Sequence, residues 1–214
     1  MFRICAALIV GLVAIPVDLS AQGNVNRGRQ LAEDRRCISC HTAENPYTVS
    51  VPRIEGQKIY YLAKQLTEFR EPNRSAPYSQ SKGNERHHLA MDWQSERLSD
   101  ADIRDLSEYF AGQPCAPVRE YAKITLPEPA KLQRCAYCHG STGITTYPVV
   151  PNIGGQKRQY LIDELLNFRT SALDKPNEAD NERFNRMMAP AVYDLSDQEI
   201  AQLANFYSQQ SCKP

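Results

Sequence analysis

Two five-residue stretches, Cys37-Ile38-Ser39-Cys40-His41 and Cys135-Ala136-Tyr137-Cys138-His139, each read C-x-x-C-H. That spacing attaches a c-type haem. The two thiols add across the two vinyl groups of the porphyrin as thioethers, and the imidazole of the next residue ligates the iron. Cysteines that bracket two residues at a helix end lie on one side of the chain, so both reach one macrocycle. Cys37, Cys40, Cys135 and Cys138 are therefore the attachment residues, and His41 and His139 the first axial ligands, of two covalently bound haem c groups.

A haem with one histidine needs a second axial group or keeps an open face. An open face activates small molecules, whereas a closed face favours electron transfer. Apart from Met1, the methionines are Met91, Met187 and Met188, and all fall at one place in a repeated pattern. Met91 precedes Leu98 by seven residues and Met188 precedes Leu195 by seven. Register therefore selects Met91 and Met188 as the matched pair, with Met187 as the fallback. A thioether sulfur is soft, prefers reduced iron and raises the potential. His87 and His88 are rivals in the first copy, but they align with Phe184 and Asn185 in the second. A duplicated site calls for duplicated ligands, so this pair reads as exposed or as contacting a propionate. Trp93, the one tryptophan, suits the wall of a haem edge, but the second copy lacks it, so it reads as core packing.

Pro52 and Pro151 recur after the two motifs. A proline carbonyl there can accept the proximal imidazole N–H and hold His41 or His139 in the right tautomer. Each proline also suits the end of a loop before a helix. Cys115 and Cys212 occupy matched places after the last helix of each copy. In an oxidising compartment they are candidates for one disulfide. Two unpaired thiols remain the alternative, because spacing alone does not bring them within reach.

The elements that position these residues are written twice. Val51-Pro52-Arg53-Ile54-Glu55-Gly56-Gln57-Lys58 matches Val150-Pro151-Asn152-Ile153-Gly154-Gly155-Gln156-Lys157. Tyr61-Leu62, Leu66 and Phe69-Arg70 match Tyr160-Leu161, Leu165 and Phe168-Arg169; Leu98-Ser99-Asp100 matches Leu195-Ser196-Asp197. The offset drifts between 97 and 99, as a duplication with small loop changes would. The period is too long for a solenoid, so two globular domains follow. Domain one is expected at 22–116 and domain two at 117–214, with a proline-containing linker near 113–128.

Within each copy the periodicity is helical. Helices are expected over 25–36, over 57–70 and its counterpart 156–169, and from Ser99 and Ser196, with Asp102 and Glu199 completing the caps. No stretch shows strict alternation, so the class is all-α.

The first residues are Met-Phe-Arg, an apolar run from Ile4 to Val17, and Asp18-Leu19-Ser20-Ala21. They read as a secretory signal peptide over 1–21, too short to span a bilayer at about 20 apolar residues. Export to the periplasm fits haem attachment and a disulfide. Lys and Arg number 25, as do Asp and Glu. That neutral balance excludes a nucleic-acid binder, which needs a basic face.

Tandem units that each run C-x-x-C-H, V-P-x-I-x-G-Q, Y-L-x-x-x-L-x-x-F-R, a methionine and L-S-D resemble the di-haem cytochrome c4 family. The resemblance spans nearly all of 24–212. It implies two class I cytochrome c folds related by a pseudo-twofold, with His41, Met91, His139 and Met188 on the irons. It also implies a periplasmic electron carrier, soluble or loosely held at the membrane, working with dehydrogenases and terminal oxidases as monomer or homodimer. The alternatives are a dedicated haem subunit of an oxidoreductase complex, such as a sulfide-oxidising flavocytochrome, and a di-haem peroxidase-type enzyme. The second copy departs from the pattern, because its approach from Pro129 lacks the long helix that contains Gly28 in the first.

Overall fold

The computed structural model describes residues 22–41, 48–70, 84–115, 127–173 and 183–212. The expected signal peptide and most of the expected linker lie outside the described residues. The first unit contains α1 (Val25–Asp34), α2 (Cys37–Cys40), α3 (Ile59–Arg70), α4 (Leu89–Ser95) and α5 (Asp100–Ala111). The second contains α6 (Leu132–His139), α7 (Arg158–Ala172), α8 (Ala189–Val192) and α9 (Asp197–Ser208). No helix among the described residues is long and apolar enough to cross a membrane.

Each unit builds its core between its longest helices. Leu62, Ile103, Leu106 and Phe110 close the first core. Leu161, Phe168, Ile200 and Leu203 occupy the same roles in the second. The last helix of each unit begins with a reciprocal cap, Ser99 with Asp102 in α5 and Ser196 with Glu199 in α9. Such a box satisfies two of the backbone N–H groups that a helix start leaves unpaired.

The helix α1 lies against α5 through Gly28 and Ala32, both buried. A Cβ at Gly28 would meet the Asp105 carbonyl oxygen at 2.1 Å and the Tyr109 Cβ at 2.8 Å. Asn24 caps α1 through its side chain, and Arg27 pairs with Asp102 and Asp105 on α5. Gly28→Ala should therefore cost about 2 kcal/mol as backbone overpacking. In a chain of this size the melting temperature should fall by about 4–8 °C, which calorimetry will read.

The second unit solves the same problem without such a helix. Its haem-motif helix α6 starts only at Leu132 and is anchored by charge. Lys131 donates to Asp194 and pairs with Glu199, and Arg134 pairs with Asp194. In the first unit Arg36, in the left-handed region at φ 54°, separates α1 from α2.

One feature departs from the expectation of no strand. β1 (Asn84–Arg86) and β2 (Arg183–Asn185) form a two-stranded antiparallel ribbon with Arg86 opposite Arg183. These arginines are repeat equivalents, 97 residues apart, so the local pseudo-twofold runs through their pair. Three residues are too few to show alternation, and each strand finds its partner only in the other copy. Across the chain, Cys115 and Cys212 are joined by a disulfide with Cα atoms 6.0 Å apart. Ribbon and disulfide thus both tie one unit to the other.

Candidate functional site

His41 follows α2 and His139 ends α6, and both are buried. His41 Nδ1 lies 2.8 Å from the Pro52 carbonyl oxygen, and His139 Nδ1 lies 3.0 Å from that of Pro151. A carbonyl only accepts, so each Nδ1 carries the proton and each Nε2 keeps its lone pair free. Burial pushes both imidazole pKa values down, against the opposing pull of the proline carbonyls. Both rings are thus held neutral and in one tautomer.

Cys37, Cys40, Cys135 and Cys138 are unpaired thiols. Burial pushes the thiols of Cys37 and Cys135 up. Cys37 and Cys135 stand four residues, about one helical turn, before His41 and His139, and Cys40 and Cys138 directly precede them. Among the described residues, no group of three His, Cys, Asp or Glu side chains converges as a site for a free metal ion.

Met91 lies on α4 and is partly buried. Met188 stands at the start of α8, partly buried against the second core, whereas Met187 is 75% exposed. Asn185 Oδ1 accepts from both methionine N–H groups and fixes this turn. His88 Nδ1 is buried with no hydrogen-bond partner, and His87 lies 3.8 Å from Asp92. Trp93 is not core: it is 74% exposed and shares an outer face of α4 with Leu89. The expectation of burial rested on the second copy lacking a counterpart, but α4 turns Asp92 and Ser95 inward instead.

The repeated glutamines meet the opposite unit. Gln156 brackets the backbone of Arg53, accepting from its N–H and donating to its carbonyl, both at 2.8 Å. Gln57 does the same to Asn152, also at 2.8 Å on both sides. Arg53 and Asn152 are repeat equivalents, as are the glutamines, so one contact is written twice about the pseudo-twofold. Gly56 and Gly155 hold the turns before the glutamines with φ of 69° and 65°. That backbone favours glycine, and at Gly155 a Cβ would sit 2.8 Å from the Cys212 Cβ.

The ribbon carries a charged cluster inward. Arg86 stacks over Phe69 and Arg183 over Phe168, with the guanidinium carbons 5.1 and 4.6 Å from the ring centroids. Both arginines pair with Glu164, Arg183 at 2.9 Å. Each also reaches the tyrosine of the opposite pair, Arg86 to Tyr160 and Arg183 to Tyr61. Burial alone would push the Glu164 carboxyl up, but the two guanidiniums outweigh it and hold the carboxyl below its usual range. Glu164 has Gln65 as its repeat equivalent, so the cluster holds two cations and one anion.

These residues fit haem. The excess guanidinium is buried, and Arg86 Nε has no hydrogen-bond partner. A buried cation needs an anion, and the macrocycle's propionates have the matching sign. The unpaired thiols and the free imidazole nitrogens match its vinyls and iron.

Sequence reasoning missed the glutamine clasps and the arginine pair. Both left a signal: Gln57 and Gln156 stand in the longest repeated motif, and Arg86 and Arg183 each stand five residues before the matched methionine.

The cytochrome c family model matches residues 25–113 and 130–211. The chain is 29% identical to cytochrome c4 of Azotobacter vinelandii over 79% of this chain and 82% of that protein. It is 24% identical to the thiosulfate dehydrogenase electron acceptor of Stutzerimonas stutzeri over 95% of this chain and 91% of that protein. Reduced recombinant cytochrome c4 from Pseudomonas stutzeri superimposes with a TM-score of 0.64 at 24% identity, covering 88% of this chain and all of that one.

Proposed function

The chain belongs to the cytochrome c family, and from that premise we propose that it is a periplasmic di-haem carrier that passes electrons between respiratory dehydrogenases and terminal oxidases. Bound haem supplies a one-electron ferric/ferrous couple. The carrying observation is the buried histidine locked onto a proline carbonyl beside two unpaired cysteines, built once in each half.

The residues divide the work as follows. Cys37 and Cys40 fix one macrocycle, and Cys135 and Cys138 the other. His41 and His139 present Nε2, with Pro52 and Pro151 setting the tautomer. Met91 and Met188 would supply a sulfur ligand to each iron, and a thioether beside an imidazole raises the potential. Partial burial of Met188 against the exposure of Met187 supports that choice. With both irons held in this way, the protein's contribution would be ligation, burial and hydrogen bonding.

Likeness to a thiosulfate dehydrogenase electron acceptor along nearly its whole length favours one second reading. In that reading the donor is an enzyme that oxidises a sulfur compound and is served by this chain as a dedicated acceptor.

The test is the haem content of protein purified from its native host. Two covalent haems per chain and two one-electron waves in an optical redox titration are expected. One haem or none would overturn the proposal. Reduction by a purified thiosulfate-oxidising dehydrogenase, at a rate above that with unrelated donors, separates the second reading from the first.

A further inference from the structure

Each buried histidine is joined to the opposite unit by an unbroken hydrogen-bond chain. The carbonyl of Pro52 and the N–H of Arg53 belong to one peptide group. Its oxygen accepts from His41 Nδ1–H at 2.8 Å, and its N–H donates to Gln156 Oε1 at 2.8 Å. About the pseudo-twofold, the Pro151 oxygen accepts from His139 Nδ1–H at 3.0 Å. The Asn152 N–H of that same peptide group donates to Gln57 Oε1 at 2.8 Å. Both glutamines are buried, at 8% and 4% exposure for Gln57 and Gln156. Their amide orientation is forced, because each Nε2 donates to the next backbone carbonyl, which can only accept.

A peptide group whose N–H is engaged becomes a stronger acceptor at its oxygen, since hydrogen bonds in series polarise one another in a low-dielectric interior. A stronger acceptor draws the Nδ1 proton and makes Nε2 a better donor to a metal. A better donor stabilises the ferric state over the ferrous. We propose that Gln156 and Gln57 are positioning residues for the axial histidine of the opposite domain, Gln156 acting on His41 and Gln57 on His139. The proposal rests on the reading of those histidines as iron ligands.

The effect is crossed, and a merely structural role is not. Gln156→Met and Gln57→Met holoproteins keep side-chain volume and remove the acceptor. In Gln156→Met, the His41 Nδ1–H resonance of the ferrous protein should move while that of His139 stays. The domain-one couple should shift toward ferrous by about threefold, less than loss of the group that hydrogen-bonds the ligating imidazole directly brings. Gln57→Met should give the mirror result, acting on His139 and the domain-two couple.

Movement of the histidine in the variant's own domain, equal movement of both, or movement of neither would overturn the relay. If the unaltered holoprotein shows no haem-shifted Nδ1–H signal from His41 or His139, the ligand reading itself fails and the relay goes with it. Amide exchange in the unaltered holoprotein needs no variant to fold. The N–H groups of Arg53 and Asn152 should exchange slowly, and rapid exchange of both would sink the proposal.

Discussion

Met188→Ala is expected to remove about half of the far-red sulfur-to-iron charge-transfer absorbance of the oxidised protein and to open one iron to carbon monoxide. Loss of a soft thioether also lowers the potential of the domain-two couple, because that ligand favours the reduced iron. Met187→Ala should leave absorbance, carbon monoxide uptake and both potentials unchanged. The contrast follows from placement: Met188 packs against the second core, and Met187 is three-quarters exposed. Met91→Ala should remove the other half of the band. The reverse result at 187 and 188 would move the ligand by one residue and void the register that links Met91 to Met188.

The second large effect lies at the domain interface. Glu164→Leu leaves Arg86 and Arg183 buried with no carboxylate between them. Removing one partner of a buried ion pair costs about 3–5 kcal/mol. In a chain of this size that is a fall of about 6–20 °C in melting temperature. For the isosteric Glu164→Gln acid should erase the difference, and the sign follows from linkage. The folded carboxyl is held below its ordinary value by the two guanidiniums, despite burial that pushes it up. Its stabilisation is therefore complete above the unfolded pKa of about 4.3 and drains away as pH falls through the lower folded value. Wild type and Glu164→Gln should differ most near neutrality and converge in strong acid. Urea titrations at several pH values will show it, and equal stability at neutral pH would remove Glu164 from the interface's supports.

What the chain discloses before folding depends on how locally each feature is specified. Covalent haem attachment needs fixed residue types at fixed spacing, so Cys37, Cys40, His41 and their counterparts stand out unaided. The helical class and both capping boxes follow from periods and offsets of three or four residues. The interface is another matter. Gln57 meets Asn152 at a separation of 95 residues and Gln156 meets Arg53 at 103. The repeat marks both glutamines, yet nothing within a helical turn of either shows that its partner lies in the other copy. Arg86 and Arg183 repeat in register, yet a repeated arginine reads as a solvated charge until its burial is seen. Trp93 goes the opposite way, since the lack of a repeat equivalent suggested an interior that α4 does not offer it. Cys115 and Cys212 were legible as equivalents, and only folding brings their Cα atoms to 6.0 Å.

The covalent link between Cys115 and Cys212 and the Arg86–Arg183 ribbon have a kinetic consequence. Tunnelling falls off exponentially with the gap between donor and acceptor, so a hinge between the halves would spread internal transfer over many rates. Halves tied by both a covalent bond and a paired backbone keep one gap. Exchange inside the molecule should then follow a single exponential, insensitive to solvent viscosity. Any viscosity dependence seen in turnover would arise from encounters with partners outside it.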